Sequence, residues 1–161
     1  MRKVFLIILV ALLGAFGGWS AAHAQQPVVR AVLFYASTCP HCQFVLQNTL
    51  PPLQQKYGSQ MDISLLEVYD PANYELWLSA VETFQVPYET AGVPMLFIGD
   101  NVLIGSDGIP ERLPGLIEEY LATGGVDVPK IPGLIVRPSP APAPTAVSSE
   151  PLATPTSTPT P

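Results

Sequence analysis

The sequence predicts an α/β domain: a mixed four-stranded sheet flanked by helices, in the order β-α-β-α-β-β-α. Three observations carry this expectation. Residues 28–36 (VVRAVLFYA) form a nearly unbroken apolar run rich in β-branched and aromatic residues, the pattern of a strand buried on both faces. Directly after it come Cys39-Pro40-His41-Cys42, which contain the only 2 cysteines of the chain, and then a stretch with helical patterning. Further on, two short apolar runs lie on either side of Gly99-Asp100-Asn101, a hairpin signal, and an amphipathic stretch follows them.

Taken in order, Ser37-Thr38 makes the turn out of the first strand, and Pro40 suits the first helical position, where its missing N–H costs nothing. The helix is expected over residues 40–57, with Phe44, Val45, Leu46, Leu50 and Leu53 available for its inner face. Pro51-Pro52 should kink or interrupt it and Gly58 should stop it. Residues 61–69 (MDISLLEVY) read as a second strand. Asp70-Pro71 is a cap followed by a first-turn proline, opening a helix over 71–85 with Tyr74, Trp77, Leu78 and Val81 at helical spacing. That aromatic stripe is expected to be core rather than ligand-binding. Residues 94–98 and 102–104 make the hairpin. A last helix, introduced by 106–110 and reaching Ala122, has Leu113, Leu116, Ile117, Tyr120 and Leu121 on one face, with Pro114 expected to break its first turn. Residues 126–136 are apolar without period and are expected to lie across the body as a strap. Strands joined by crossover helices should be parallel, and the hairpin should add an antiparallel edge.

The ends read differently. Residues 1–24 have the layout of a secretory signal: Arg2 and Lys3, an apolar stretch, and Ala22-His23-Ala24 as a small-x-small cleavage pattern. Cleavage after Ala24 is expected. The alternative is an uncleaved membrane anchor, since the apolar stretch extended to Ala22 approaches the ~20 residues that a spanning helix needs. Residues 137–161, nearly all Pro, Ala, Thr and Ser, are expected to be an extended tail without a core, and no apolar segment follows to serve as a C-terminal anchor. Between them, residues 27–136 fit one small domain. The location expected is extracytoplasmic: periplasm, cell surface or secreted.

The net charge of −6 becomes −8 once Arg2 and Lys3 are removed, and no basic cluster exists, which argues against nucleic acid and anionic membrane surfaces as partners. A Cys-x-x-Cys at the strand-to-helix turn is the arrangement of dithiol–disulfide chemistry. Unpaired N–H groups and the positive end of the helix dipole face the first sulfur and favour thiolate. A structural staple is a poor alternative, because so small a loop constrains little of the unfolded chain.

This order, with Cys39-Pro40-His41-Cys42 at the first helix start, Gly92-Val93-Pro94 opening the third strand, and a terminal hairpin–helix, resembles the thioredoxin fold over about residues 28–123. Cys-Pro-His-Cys resembles the active site of bacterial periplasmic disulfide-bond-forming oxidases. GVPMLFIGDNVLIGS and IPERLPGLIEEYLATGGVD are similar to the thioredoxin-like domains that accompany bacterial vitamin K epoxide reductase homologues. The four-helix membrane portion of those fusions is missing, so a free-standing version is expected.

The resemblance implies an extracytoplasmic thiol–disulfide oxidoreductase working in the oxidising direction without a cofactor. Its partners would be protein thiols and a membrane vitamin K epoxide reductase-like protein. Cys39 would be the exposed nucleophile and Cys42 the resolving thiol. Pro40 and His41 would tune them. Pro94 would follow a cis peptide bond beside the sulfurs, turning the Val93 backbone toward an extended substrate. Two departures stand out. Leu33 occupies the position where such proteins carry a buried carboxylate, so either water or another group, with Glu67 on the neighbouring strand the candidate, relays the proton, or exchange is slower. Thr38 stands where a large aromatic residue often precedes the first cysteine. The competing readings are a reductant of the same fold, a non-catalytic thioredoxin-like module, and a metal site of Cys39, His41 and Cys42; the last lacks the four separated ligands zinc normally takes.

Overall fold

The strand expected at the centre of the sheet is there. In the computed structural model, which describes residues 26–135, β1 (Val29–Tyr35) is buried along almost its whole length. It pairs in parallel with β2 (Met61–Glu67) on one side and antiparallel with β3 (Met95–Ile98) on the other. β4 (Asn101–Ile104) closes the sheet antiparallel to β3, giving the order β2-β1-β3-β4. A mixed four-stranded sheet flanked by helices is the thioredoxin-like α/β arrangement.

Alternation along β1 divides the core. Val29, Ala31 and Leu33 face one layer, with Leu96, Ile98 and Leu103; Val32 and Phe34 face the other, with Met95 and Phe97. The first layer is covered by the helical stretch that follows Cys39, through Val45, Leu53 and Tyr57, and by α4 (Gly105–Ala122), through Ile109, Leu113 and Ile117. The second is covered by α3 (Pro71–Thr83), through Ala80 and Val81, and by the strap, through Ile131. The strap is tied on by Val126, which bonds Val28 and Arg30 of the first strand region, and by Ser79 Oγ donating to the Pro132 carbonyl at 3.2 Å. Trp77 is partly buried and packs against the second layer beside Tyr74.

Three expectations need correction. The first concerns the helix after Cys39. It is interrupted upstream of Pro51-Pro52: α1 (Pro40–Phe44) runs into a π-helical stretch (Val45–Thr49) before α2 (Leu50–Tyr57). The Leu50 amide reaches back to the Val45 carbonyl, five residues away. Two consecutive prolines remove two donors and crowd the preceding turn, and the wider turn accommodates both. Phe44, assigned to the inner face, is 48% exposed. The second concerns Pro114, which sits well inside α4, as does Pro110. The helix starts earlier than expected, because Gly105, at φ 83°, turns the chain out of β4 and its N–H bonds the Pro94 carbonyl at 2.9 Å. Each proline forfeits an intrahelical bond, and the buried face of Ile109, Leu113 and Ile117 keeps the helix whole. The third concerns Tyr74, which lies on the outer side of the aromatic stripe and is 44% exposed.

The hairpin turn needs its glycine. Gly99 has φ 55°, and a Cβ there would run into the Tyr120 ring. The expected signal (1–24) and tail (137–161) lie outside the described residues. Among the described residues, no helix is long and apolar enough to cross a membrane.

Candidate active site

The site is built where β1 ends. Ala36 is buried, and its amide donates to Cys42 Sγ at 3.4 Å. The chain then turns through Ser37-Thr38. Cys39 is the extended residue before the helix (φ −83°, ψ 120°), with no side-chain cap, and Pro40 takes the first helical position. One turn of helix therefore separates two unlike sulfurs. Cys39 is partly exposed, whereas Cys42 is fully buried; both are free thiols.

Their protonation follows from that placement. Desolvation works against the Cys39 thiolate. The Cys42 amide, the Cys42 thiol and the His41 amide hydrogen-bond the sulfur and outweigh it, leaving the Cys39 pKa below its ordinary value. Cys42 goes the other way. Burial, together with the neighbouring Cys39 sulfur, pushes its thiol up from 9.0 to about 11, against a smaller stabilisation from the Ala36 amide. Leu33, where a carboxylate was noted as missing, is fully buried in the apolar layer between Leu65 and Leu96 of the flanking strands.

Across from the sulfurs, the Val93–Pro94 bond is cis, and Pro94 is buried. The Cys39 thiol donates to the Val93 carbonyl at 3.7 Å. Among the described residues, no group of three or more His, Cys, Asp or Glu side chains is placed to hold a metal ion.

His41 makes two contacts from different parts of the residue. Its amide serves Cys39, while its ring Nδ1 lies 2.9 Å from Ser106 Oγ at the start of α4. Glu67 is also near but engaged: Oε1 accepts the Ser37 amide at 3.1 Å, one residue along from the Ala36 amide that serves Cys42. The turn before Cys39 is braced twice more, by Gln43 Nε2 donating to the Ser37 carbonyl at 2.8 Å and by a Thr38–Tyr69 hydroxyl pair.

Tyr69, Gln43 and Ser106 were not singled out from the sequence. Tyr69 had a signal: it follows a strand parallel to β1, and residues just beyond parallel strands gather at one sheet end. Ser106 had none, since its position depends on the hairpin and on where α4 begins.

No protein-family model matches the chain, and no curated protein matches it. Among solved structures it is similar to a thioredoxin from Thermus thermophilus, determined in solution. The two are 18% identical, with a TM-score of 0.44, and the match covers 60% of this chain and 76% of that one.

Proposed function

We propose that this protein is an extracytoplasmic thiol–disulfide oxidoreductase that passes its Cys39–Cys42 disulfide to protein thiols. The observation that carries the proposal is the split between the two sulfurs: a partly exposed Cys39 held below the ordinary thiol value and a buried Cys42 at about 11. A substrate thiolate attacks Cys39 Sγ, the S–S bond breaks, and Cys42 leaves with the electron pair and takes up a proton. A second substrate thiolate then attacks the substrate sulfur of the mixed disulfide, and Cys39 leaves as thiolate. Two electrons pass from the substrate to the protein, and the substrate gains one disulfide.

The low Cys39 value makes it a good leaving group in the second step and favours the reduced protein, which is what an oxidant requires. Pro40 fixes the helix start. Val93 presents backbone for an extended substrate to pair with. Glu67, which accepts the Ser37 amide, is the candidate to relay the Cys42 proton. The Cys39-Pro40-His41-Cys42 motif supports the oxidising direction through its resemblance to periplasmic oxidases. The signal-like residues 1–24 support export. The similarity of residues 92–106 and 109–127 to domains associated with vitamin K epoxide reductase homologues supports a membrane partner of that kind for reoxidation.

The test is the equilibrium with glutathione, together with oxidation of a reduced, unfolded substrate protein. The expected potential lies toward the roughly −120 mV of a periplasmic oxidant. A value near the roughly −270 mV of thioredoxin would assign the reductant role instead.

A further inference from the structure

We propose that Ser106 is a positioning residue of the dithiol site. It clamps the first turn of α1 from the opposite side of the cleft, so that the amides of that turn stay aimed at Cys39. The inference rests on the redox reading of the site and names a residue that reading does not include.

Pro40 has no N–H, so the donors that the first turn can offer Cys39 are the amides of His41 and Cys42, and both serve its sulfur. α1 ties that turn through Gln43, whose amide bonds the Cys39 carbonyl at 3.0 Å and whose side chain bonds the Ser37 carbonyl at 2.8 Å, and neither bond reaches the His41 ring. The first residue of α1 is proline, Cys39 gives no side-chain cap, and the regular helix ends at Phe44, where the π-helical stretch begins. An outside tie is present. The His41 ring, on the residue whose amide faces the sulfur, is held through Nδ1 by Ser106 Oγ at 2.9 Å.

The tie has a second end. Gly105, one residue before Ser106, donates its N–H to the Pro94 carbonyl at 2.9 Å. Two consecutive residues at the start of α4 therefore grip both walls of the site: Gly105 the wall carrying Val93-Pro94, and Ser106 the wall carrying His41-Cys42. Ile109 and Leu113, fully buried in the next turns, anchor that helix start in the core. The cap position of α4 is Ile104, so Ser106, two residues further on, is not the helix cap. Holding Nδ1 also turns Nε2 of the ring away from α4, which fixes one ring orientation in place of two.

The consequence falls on the reduced protein. Amides kept in line stabilise the Cys39 thiolate; amides free to drift stabilise it less. Ser106→Ala should lower the thiolate fraction of Cys39 at a fixed pH below its titration midpoint by about threefold, read by the rate of iodoacetamide alkylation of the reduced full chain. At a pH above that midpoint, where reduced Cys39 is thiolate, the equilibrium disulfide + 2 glutathione ⇌ dithiol + glutathione disulfide should move about threefold toward the protein disulfide, or about 14 mV toward the reducing side. Ser106→Thr, which keeps the hydroxyl, should restore both. In a His41→Ala background, Ser106→Ala should add nothing.

An unchanged alkylation profile in Ser106→Ala overturns the inference, as does an effect of the same size in the His41→Ala background. Alkylation reads the clamp even if the wild-type protein forms no disulfide with glutathione, an outcome that counts against the oxidoreductase reading instead.

Discussion

Cys39 and Cys42 are three residues apart, yet one lies at the rim of the site and the other on its floor. At the rim, the sulfur meets amides of the first helical turn and the Val93 carbonyl. On the floor, the second sulfur is fully buried, with the Ala36 amide as a donor. The same element, advanced by one turn, carries a thiol from a place that favours its anion to a place that disfavours it. The difference teaches that the pair is polarised first by depth and by the direction of a few N–H groups, with the two sulfurs acting on each other and no other charged side chain taking part. The carboxylate nearby, Glu67, is on the Ser37 amide, and the His41 ring is on Ser106.

The largest effect should come from breaking the pair itself. Cys39→Ser should abolish exchange with protein thiols. Cys42→Ser should still form the mixed disulfide through Cys39 but should not resolve it, so that covalent complexes accumulate. Non-reducing electrophoresis after incubation with a disulfide-containing substrate checks both. Equal trapping by the two variants would remove the distinction between rim and floor.

The polarity of the pair should also show in stability against pH. In the reduced protein, the raised Cys42 value means that its contribution is fully present below about pH 9 and is lost as pH rises through about 11. The lowered Cys39 value works oppositely: its contribution is present above the ordinary thiol value and is lost as pH falls through the folded value. Between pH 9 and 11, the reduced wild type should therefore lose up to roughly 2–3 kcal/mol that Cys42→Ala does not lose. Parallel denaturant titrations of the two proteins measure it, and the comparison cancels tyrosines and lysines titrating in the same range.

The smallest effect concerns the brace. Tyr69→Phe removes the hydroxyl paired with Thr38 Oγ1 beside the rim. It should cost about 1 kcal/mol or less, since the pair is solvent-exposed. It should speed alkylation of Cys39 slightly while leaving Cys42 unreactive at neutral pH. A change at Cys42 would mean that rim and floor are mechanically one unit.

Much of this was legible in the sequence because it is local. The unbroken apolar run at 28–36 can only be a strand covered on both faces, and the structure buries it between two core layers. The spacing of Cys39 and Cys42 at a strand-to-helix turn puts the two sulfurs one helical turn apart on one side of α1, and packing against the core makes the second the buried one. Gly99 marked the hairpin, and Asp70, whose side chain accepts from the Ala72 amide, marked the start of α3.

What the tertiary structure decided is whatever depends on segments meeting that are far apart in the chain. Two prolines announce a disturbed helix, but its form, a π-helical stretch ahead of them, depends on which residues the core must bury. Pro114 reads as a breaker, yet α4 runs through it because three apolar side chains are held in a packed layer. The place of Glu67 on the Ser37 amide waited on the β1–β2 register. The grip of Gly105 and Ser106 on Pro94 and His41 joins four residues across more than sixty positions of chain. Composition and period report how a segment lies against a core. They carry no information on which atoms of two distant loops come to rest 3 Å apart, and at this dithiol those atoms decide how the two sulfurs differ.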